Sequence, residues 1–353
     1  MSGLVDLHHH GDRDAVPGLV DLAVNVRLPA PPPWLADVIA DSLHDLGRYP
    51  DPSAAVTAIA RRHRVDPECV LPTAGGAEAF TLVARAVAGS RPVVVHPQFT
   101  EPEAALVAAG RPVDRCVLPH EDGLRLDPSA FGPSGEHADA DLVVVGNPTN
   151  PTGVLHPAGG VRSLRRSGRV VVVDEAFMDA VPGEPESVVG RDLEGLIVVR
   201  SLTKTWGLAG LRAGYVIGDP ALVAGLRVVQ PPWSVSSPAL AATVACLSER
   251  AVAEAEAAAV SFAADRAVLV GELAAVGLRT AAPSAAPFVL VDTSPLGAGS
   301  VREDLARLGF AVRRGETFPG LGPTWIRLAV RDAETSRSVA AALDDLRRLR
   351  HVA

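Results

Sequence analysis

Lysine is almost absent from this sequence. Among 33 lysines and arginines in 353 residues, Lys204 is the single lysine. Tyrosine occurs twice, at Tyr49 and Tyr215, and asparagine three times, at Asn25, Asn147 and Asn150. The three cysteines, Cys69, Cys116 and Cys246, show neither metal-site nor disulfide spacing, so buried thiols in a reducing compartment are expected. No apolar run approaches the ~20 residues of a membrane span, and the start lacks the basic-then-apolar pattern of an export signal. Acidic residues outnumber basic ones and the net charge is -8, which argues against nucleic acid or an anionic membrane as partner. These shortages together predict a cytoplasmic protein.

What is present fits an ordinary globular protein: 48% hydrophobic and 21% charged residues, in a length that suits about two domains. A GC-rich coding sequence explains the bias against lysine, tyrosine and asparagine. Arginine replaces lysine in ion pairs and on phosphates. It does not supply the neutral primary amine that joins an aldehyde. A single retained lysine is either a chance survivor at the surface or a position where only an amine serves.

Residues 1–33 read as an arm, with His8-His9-His10-Gly11, a strand-like Leu19–Val26 and a proline tract at 29–33. Helical spacing follows over Trp34–Leu46, and Ser53 reads as the N-cap of a helix over Ala54–Arg64. Apolar runs at Pro92–Val95, Leu142–Val145, Val170–Val173, Leu196–Val199 and Tyr215–Ile217 then alternate with helical segments. That pattern predicts an α/β fold with a mostly parallel sheet. A long, alanine-rich helical stretch from Ala239 to about Leu273, continuous or with one break, leads to a smaller α+β unit. The expected divisions are 1–45 for the arm and part of the small domain, 46–240 for the large domain and 241–353 for the interdomain helix and the rest of the small domain.

The chemistry concentrates at strand ends. Lys204 lies in Ser201-Leu202-Thr203-Lys204-Thr205-Trp206-Gly207, followed by Gly210-Leu211-Arg212-Ala213-Gly214-Tyr215. A hydroxyl, an amine and a guanidinium around one glycine-rich turn suit a phosphorylated aldehyde. Asp174 ends a buried strand, where its carboxylate either faces the crevice of an open sheet or caps a helix. Thr73-Ala74-Gly75-Gly76-Ala77 opens a helix whose free N–H groups suit a phosphate. Gly146-Asn147-Pro148-Thr149-Asn150-Pro151-Thr152-Gly153 is a turn holding two of the three asparagines.

In this order, Asn-Pro-x-Asn-Pro-Thr-Gly, Asp-Glu-Ala-aromatic, and Ser-x-x-Lys with Gly-Leu-Arg-x-Gly-Tyr resemble the class I/II aminotransferases, across nearly the whole chain. The resemblance implies pyridoxal 5'-phosphate as cofactor, a fold type I architecture with a seven-stranded mostly parallel sheet and a small α+β domain, and a homodimer. It implies Lys204 as the lysine bonded to the cofactor aldehyde, Asp174 on the pyridine nitrogen, Asn150 on the ring oxygen and Phe99 stacked on the ring. Gly75, Gly76, Ala77, Ser201 and Arg212 match the phosphate cradle. Tyr49 matches a residue that reaches the partner subunit's cofactor, and Arg327 one that grips a substrate carboxylate.

Two branches acting on phosphorylated small molecules are closest. One is L-threonine-O-3-phosphate decarboxylase of cobalamin biosynthesis; the other is histidinol-phosphate aminotransferase. The His10-Gly11 arm with Asn25, Phe177 after Asp-Glu-Ala, and Gly309-Phe310-Ala311-Val312-Arg313 resemble the decarboxylase, which is the expected activity, with aminotransferase as the alternative. His10, Asn25 and Arg313 then become contacts to a substrate phosphate. Arg27-Leu28 and Arg314 depart from that branch's pattern. A regulatory, non-enzymatic domain of the same fold is disfavoured by the intact lysine and the acidic charge.

Overall fold

The computed structural model describes residues 6–352; residues 1–5 of the expected arm and Ala353 lie outside it. Strands β1 to β12 span Val20–Leu22, Val70–Thr73, Pro92–His96, Asp114–Val117, Leu142–Gly146, Val170–Asp174, Leu196–Ser201, Gly214–Gly218, Arg279–Thr280, Phe288–Asp292, Phe310–Arg314 and Trp325–Ala329. Helices α1 to α10 span Pro33–Asp41, Ser53–His63, Gly75–Ala86, Glu101–Ala108, Ala158–Arg162, Pro220–Val229, Ser237–Cys246, Glu249–Ala275, Arg302–Arg307 and Ala333–Val352.

Seven strands make one sheet in the order β2-β8-β7-β6-β5-β3-β4. From β7 to β4 all neighbours are parallel; β8 runs antiparallel to β7 and β2. The valine-rich central strands are covered on both faces, and their side chains divide by alternation. Val94, Val144 and Val172 pack under α3 and α6 with Phe80 and Leu226. Val93, Val143, Val145, Val171 and Val173 pack on the other face with Phe131 and Leu164.

A second sheet runs β1-β11-β12-β10-β9. Its first strand comes from the amino-terminal arm and lies parallel on β11, with Leu22 opposite Val312. The strand is shorter than the sequence predicts, because Asp21 turns the chain by accepting the N–H groups of Ala23 and Val24. The expected long helix is two helices, broken before Ser248, whose Oγ caps the second on the Ala251 N–H. Ser53 is the first residue of α2 rather than its cap; the Asp51 carboxylate accepts the Ser53 N–H and hydroxyl instead. Three strands lacked a sequence signal, and of these β9 is only two residues long. β2 contains Pro72, tolerated because the strand is at an edge, and β4 exposes Asp114, Arg115 and Val117 while burying only Cys116. Among the described residues no helix is long and apolar enough to cross a membrane.

Candidate active site

A cavity of about 530 Å³ opens at the carboxyl ends of β5, β6 and β7, bounded by the start of α3 and by the arm. Open α/β sheets bind ligands at this position. Asp174 and Lys204 both line it. Lys204 follows β7 in a turn closed by the Leu208 N–H on the Thr203 carbonyl. The arm pins that turn from the other side: the Arg27 N–H donates to the Lys204 carbonyl and Arg27 Nε to the Thr205 carbonyl. Burial, then the guanidinia of Arg327 and Arg212, lower the Lys204 pKa to about 8 against the pull of Asp174 and Asp12. An appreciable fraction of the amine is then neutral and nucleophilic near neutral pH. Burial raises Asp174 to about 6, against the Ala176 N–H and the Lys204 charge. A protonated ring nitrogen beside it would keep it ionised.

The start of α3 forms an anion cradle. Its N-cap, Ala74, offers no side-chain acceptor, and Gly76 and Ala77 line the cavity. Gly75 adopts φ +77°, and a Cβ there would stand 2.7 Å from Arg212 Nη2, so only glycine admits the guanidinium this closely. Arg212 has no carboxylate ion-pair partner among the described residues, and Ser201 shares a 2.7 Å hydrogen bond with the Thr203 hydroxyl beside it. Phe99 lines the same space, tilted against His10 and Phe80. Its segment is anchored by His96, buried on Glu103 at 2.8 Å, and Glu103 is also held by Arg115.

Of the two turn asparagines, only Asn150 reaches the cavity. Asn147 is structural, donating to the His156 and Glu186 carbonyls and accepting the His156 N–H. Asn150 Oδ1 accepts from Arg327 Nη1 at 2.5 Å, which leaves its Nδ2 as the free donor. Arg327 Nη2 donates to the Ala23 carbonyl, while Nε has no partner among the described residues. Burial, then the charge of Arg313, lower the Arg327 pKa to about 9. It meets no carboxylate of the described residues in an ion pair, so it is a buried cation able to receive an anion. Asn25 also lines the cavity, 6% exposed, with neither amide atom hydrogen-bonded among the described residues.

Two expected site residues stand elsewhere. Arg313 is not on the cavity wall. It is buried against Asp14 at 2.9 Å, donates to the His9 carbonyl and lies over Phe318, so it is satisfied internally and is not free for a substrate phosphate. Arg314 Nε is on the same Asp14 carboxylate. Tyr49 is 75% exposed and stacks on Trp233 at 4.2 Å, outside the cavity. His10 does line the cavity, hydrogen-bonded to Glu101 at 3.1 Å. Glu101 and Asp12 were missed as site residues: both line the cavity, Asp12 directly after the His10-Gly11 pair and Glu101 outside any motif.

The residues present suit a phosphorylated aldehyde with a basic ring nitrogen. The cavity supplies an enclosed amine, a glycine-admitted guanidinium beside free helix N–H groups, and a carboxylate that burial leaves in need of a positive partner. The comparisons agree. The family model "Aminotransferase class I and II" matches residues 17–343. A protein named histidinol-phosphate aminotransferase from Mycobacterium tuberculosis is 46% identical over 94% of this chain and 88% of its own. Threonine-phosphate decarboxylase of Salmonella typhimurium is 28% identical over 92% and 90%. Aspartate aminotransferase from Thermus thermophilus superposes with TM-score 0.82 at 25% identity, over 93% of this chain and 92% of that one. The chain therefore belongs to the aminotransferase class I and II family, and its cofactor is pyridoxal phosphate.

Proposed function

We propose that the protein transfers the amino group of a phosphorylated small amine of the histidinol phosphate type to a 2-oxo acid. The observation that carries this reading is the count of free cations. Among the described residues two guanidinia line the cavity: Arg212 stands by the cofactor-phosphate cradle and Arg327 is left for a substrate anion, while Arg313 and Arg314 are held by Asp14. L-threonine phosphate brings a carboxylate and a phosphate; histidinol phosphate brings a phosphate only. Identity points the same way, 46% to the aminotransferase against 28% to the decarboxylase. Decarboxylation, expected from the arm and Phe177, is thus the less supported activity.

When bound, pyridoxal phosphate supplies the aldehyde that takes up the amine and a ring that withdraws electrons from Cα. Lys204 would hold the aldehyde until the substrate amine replaces it, and its neutral Nζ would then take the proton from Cα and its charged form return one. Asp174 would hold the proton on the ring nitrogen, Asn150 has its Nδ2 free for the ring oxygen because Arg327 occupies its Oδ1, and Phe99 would hold the ring by stacking. Arg327 grips the substrate phosphate and orients Cα. An amine without a carboxylate has no CO₂ to lose, so proton removal by Lys204 is the open route.

A homodimer is part of this reading, supported by the exposed Tyr49–Trp233 stack next to a groove of about 390 Å³ lined by Pro50, Val56, Leu71 and Pro232. The test is product analysis with the holoenzyme: rapid amino transfer from histidinol phosphate supports the proposal, and CO₂ from phosphothreonine without amino transfer refutes it.

A further inference from the structure

A carboxylate on the wall of a cavity that receives anions calls for a reason, since like charges repel. Glu101 is such a carboxylate. It begins α4, lines the cavity and accepts from His10 Nε2 through Oε2. Its Oε1 has no protein donor among the described residues. The hydrogen bond from His10 outweighs burial and keeps Glu101 below the usual carboxylate range, so it is ionised at neutral pH.

The arm that carries His10 is fastened at both ends. The Thr100 hydroxyl donates to the Leu7 carbonyl, and Asp14 is held by Arg313 and Arg314. Between these points the backbone passes against the anion grip. A Cβ on Gly11 would meet the Ala23 carbonyl oxygen at 2.7 Å and Arg327 Nη2 at 3.5 Å. The His10–Glu101 pair is thereby set one residue from the place where Arg327 receives an anion. Asn25, buried with both amide atoms unpaired, lines the same space.

We infer that Glu101, oriented by His10 on the Gly11 crossing over Arg327, is a specificity-determining residue that accepts the N–H of a nitrogen-bearing ring on the substrate. The inference rests on the transaminase reading above and deepens it: the substrate is a phosphate at one end and an N–H donor ring at the other. A methyl group in that place, as on threonine phosphate, would leave the carboxylate Oε1 without a partner.

Binding to the holoenzyme tests this with two unreactive ligands, an imidazolylalkyl phosphate and the matching alkyl phosphate, followed by calorimetry. The native protein should prefer the ring-bearing ligand by about tenfold or more, equivalent to ~1.4 kcal/mol. Glu101→Leu should abolish the preference, and Glu101→Asp should restore part of it. His10→Ala should reduce it by less than Glu101→Leu does. Should Glu101→Leu fail to retain cofactor, Glu101→Ala, which also offers no acceptor, decides on the same ratio. A native protein without the preference, or a leucine variant that keeps it, overturns the inference. The reaction itself is read separately. A ring preference without amino transfer from histidinol phosphate would remove the transaminase reading and leave the ring subsite standing.

Discussion

The two walls of the cavity are built differently. The wall proposed for the cofactor hangs on the ends of β5, β6 and β7, strands buried on both faces, and on the first turn of α3. The wall proposed for the substrate is assembled from the arm, the start of α4 and β12, pieces that meet only through tertiary contact. Arg313 and Arg327 show the consequence. They sit opposite each other across β11 and β12, the same residue type in one register. Asp14 reaches one of them and closes it; the other keeps an unpaired Nε and no carboxylate. Residue type and register do not assign a binding role. The presence or absence of an internal counter-ion does.

The largest expected effect is at the cofactor wall. Lys204→Arg keeps the charge but removes the amine, and should lower kcat by at least ~10³-fold. Because the sequence holds no other lysine, borohydride reduction of the native holoenzyme should label Lys204 alone, and the variant should take no label.

On the substrate wall, Arg327→Leu removes a charge-assisted grip of about 1.5–3 kcal/mol. It should cost roughly 10–100-fold in kcat/KM for the phosphorylated amine while the cofactor absorbance persists. A smaller effect follows from the Lys204 pKa of about 8. The neutral amine captures the aldehyde, so the rate at which apoprotein takes up pyridoxal phosphate should rise by about tenfold per pH unit below 8 and level off above it. A rate independent of pH between 6 and about 9 would contradict this assignment.

Arg313→Leu sharpens the contrast with Arg327. It removes one of the two guanidinia on the buried Asp14 and leaves Arg314 on the other oxygen, for which a loss of about 1.5–3 kcal/mol of stability is expected, whereas kcat/KM of the folded variant should change by less than ~3-fold. The pH dependence has a fixed sign. Burial alone would raise the Asp14 pKa, but the hydrogen bond and charge of Arg313, then Arg314, bring it below its ordinary value. The stability from this group is therefore present above the unfolded carboxylate pKa and is lost as pH falls through the lower folded one. Denaturation of native protein and variant in acid checks it: the native advantage should shrink as the pH drops.

Much of the cofactor wall was legible in the sequence because its chemistry is local. Lys204, Ser201 and Arg212 share one stretch, and Gly75 to Ala77 open one helix. The valine runs announce strands covered on both faces. The substrate wall was less legible, because its decisive contacts are remote. Arg313 and Asp14 are 299 positions apart, and His10 and Glu101 are 91 apart. Nothing near Arg313 marks it as already paired, and nothing near Glu101 marks it as facing a cavity. The edge strands β2 and β4 escaped for a related reason: with a proline in one and three exposed residues in the other, neither carries an apolar run.

A single turnover separates transamination from decarboxylation. Holoenzyme is mixed with excess histidinol phosphate without any acceptor, and carbonyl product, cofactor absorbance and CO₂ are followed, with L-threonine phosphate run in parallel. A transaminase gives one equivalent of carbonyl product per active site, bleaching of the lysine-bound cofactor band in step with it, and no CO₂ from threonine phosphate. Continuous CO₂ release from threonine phosphate, with no carbonyl product from histidinol phosphate, would contradict the transaminase reading.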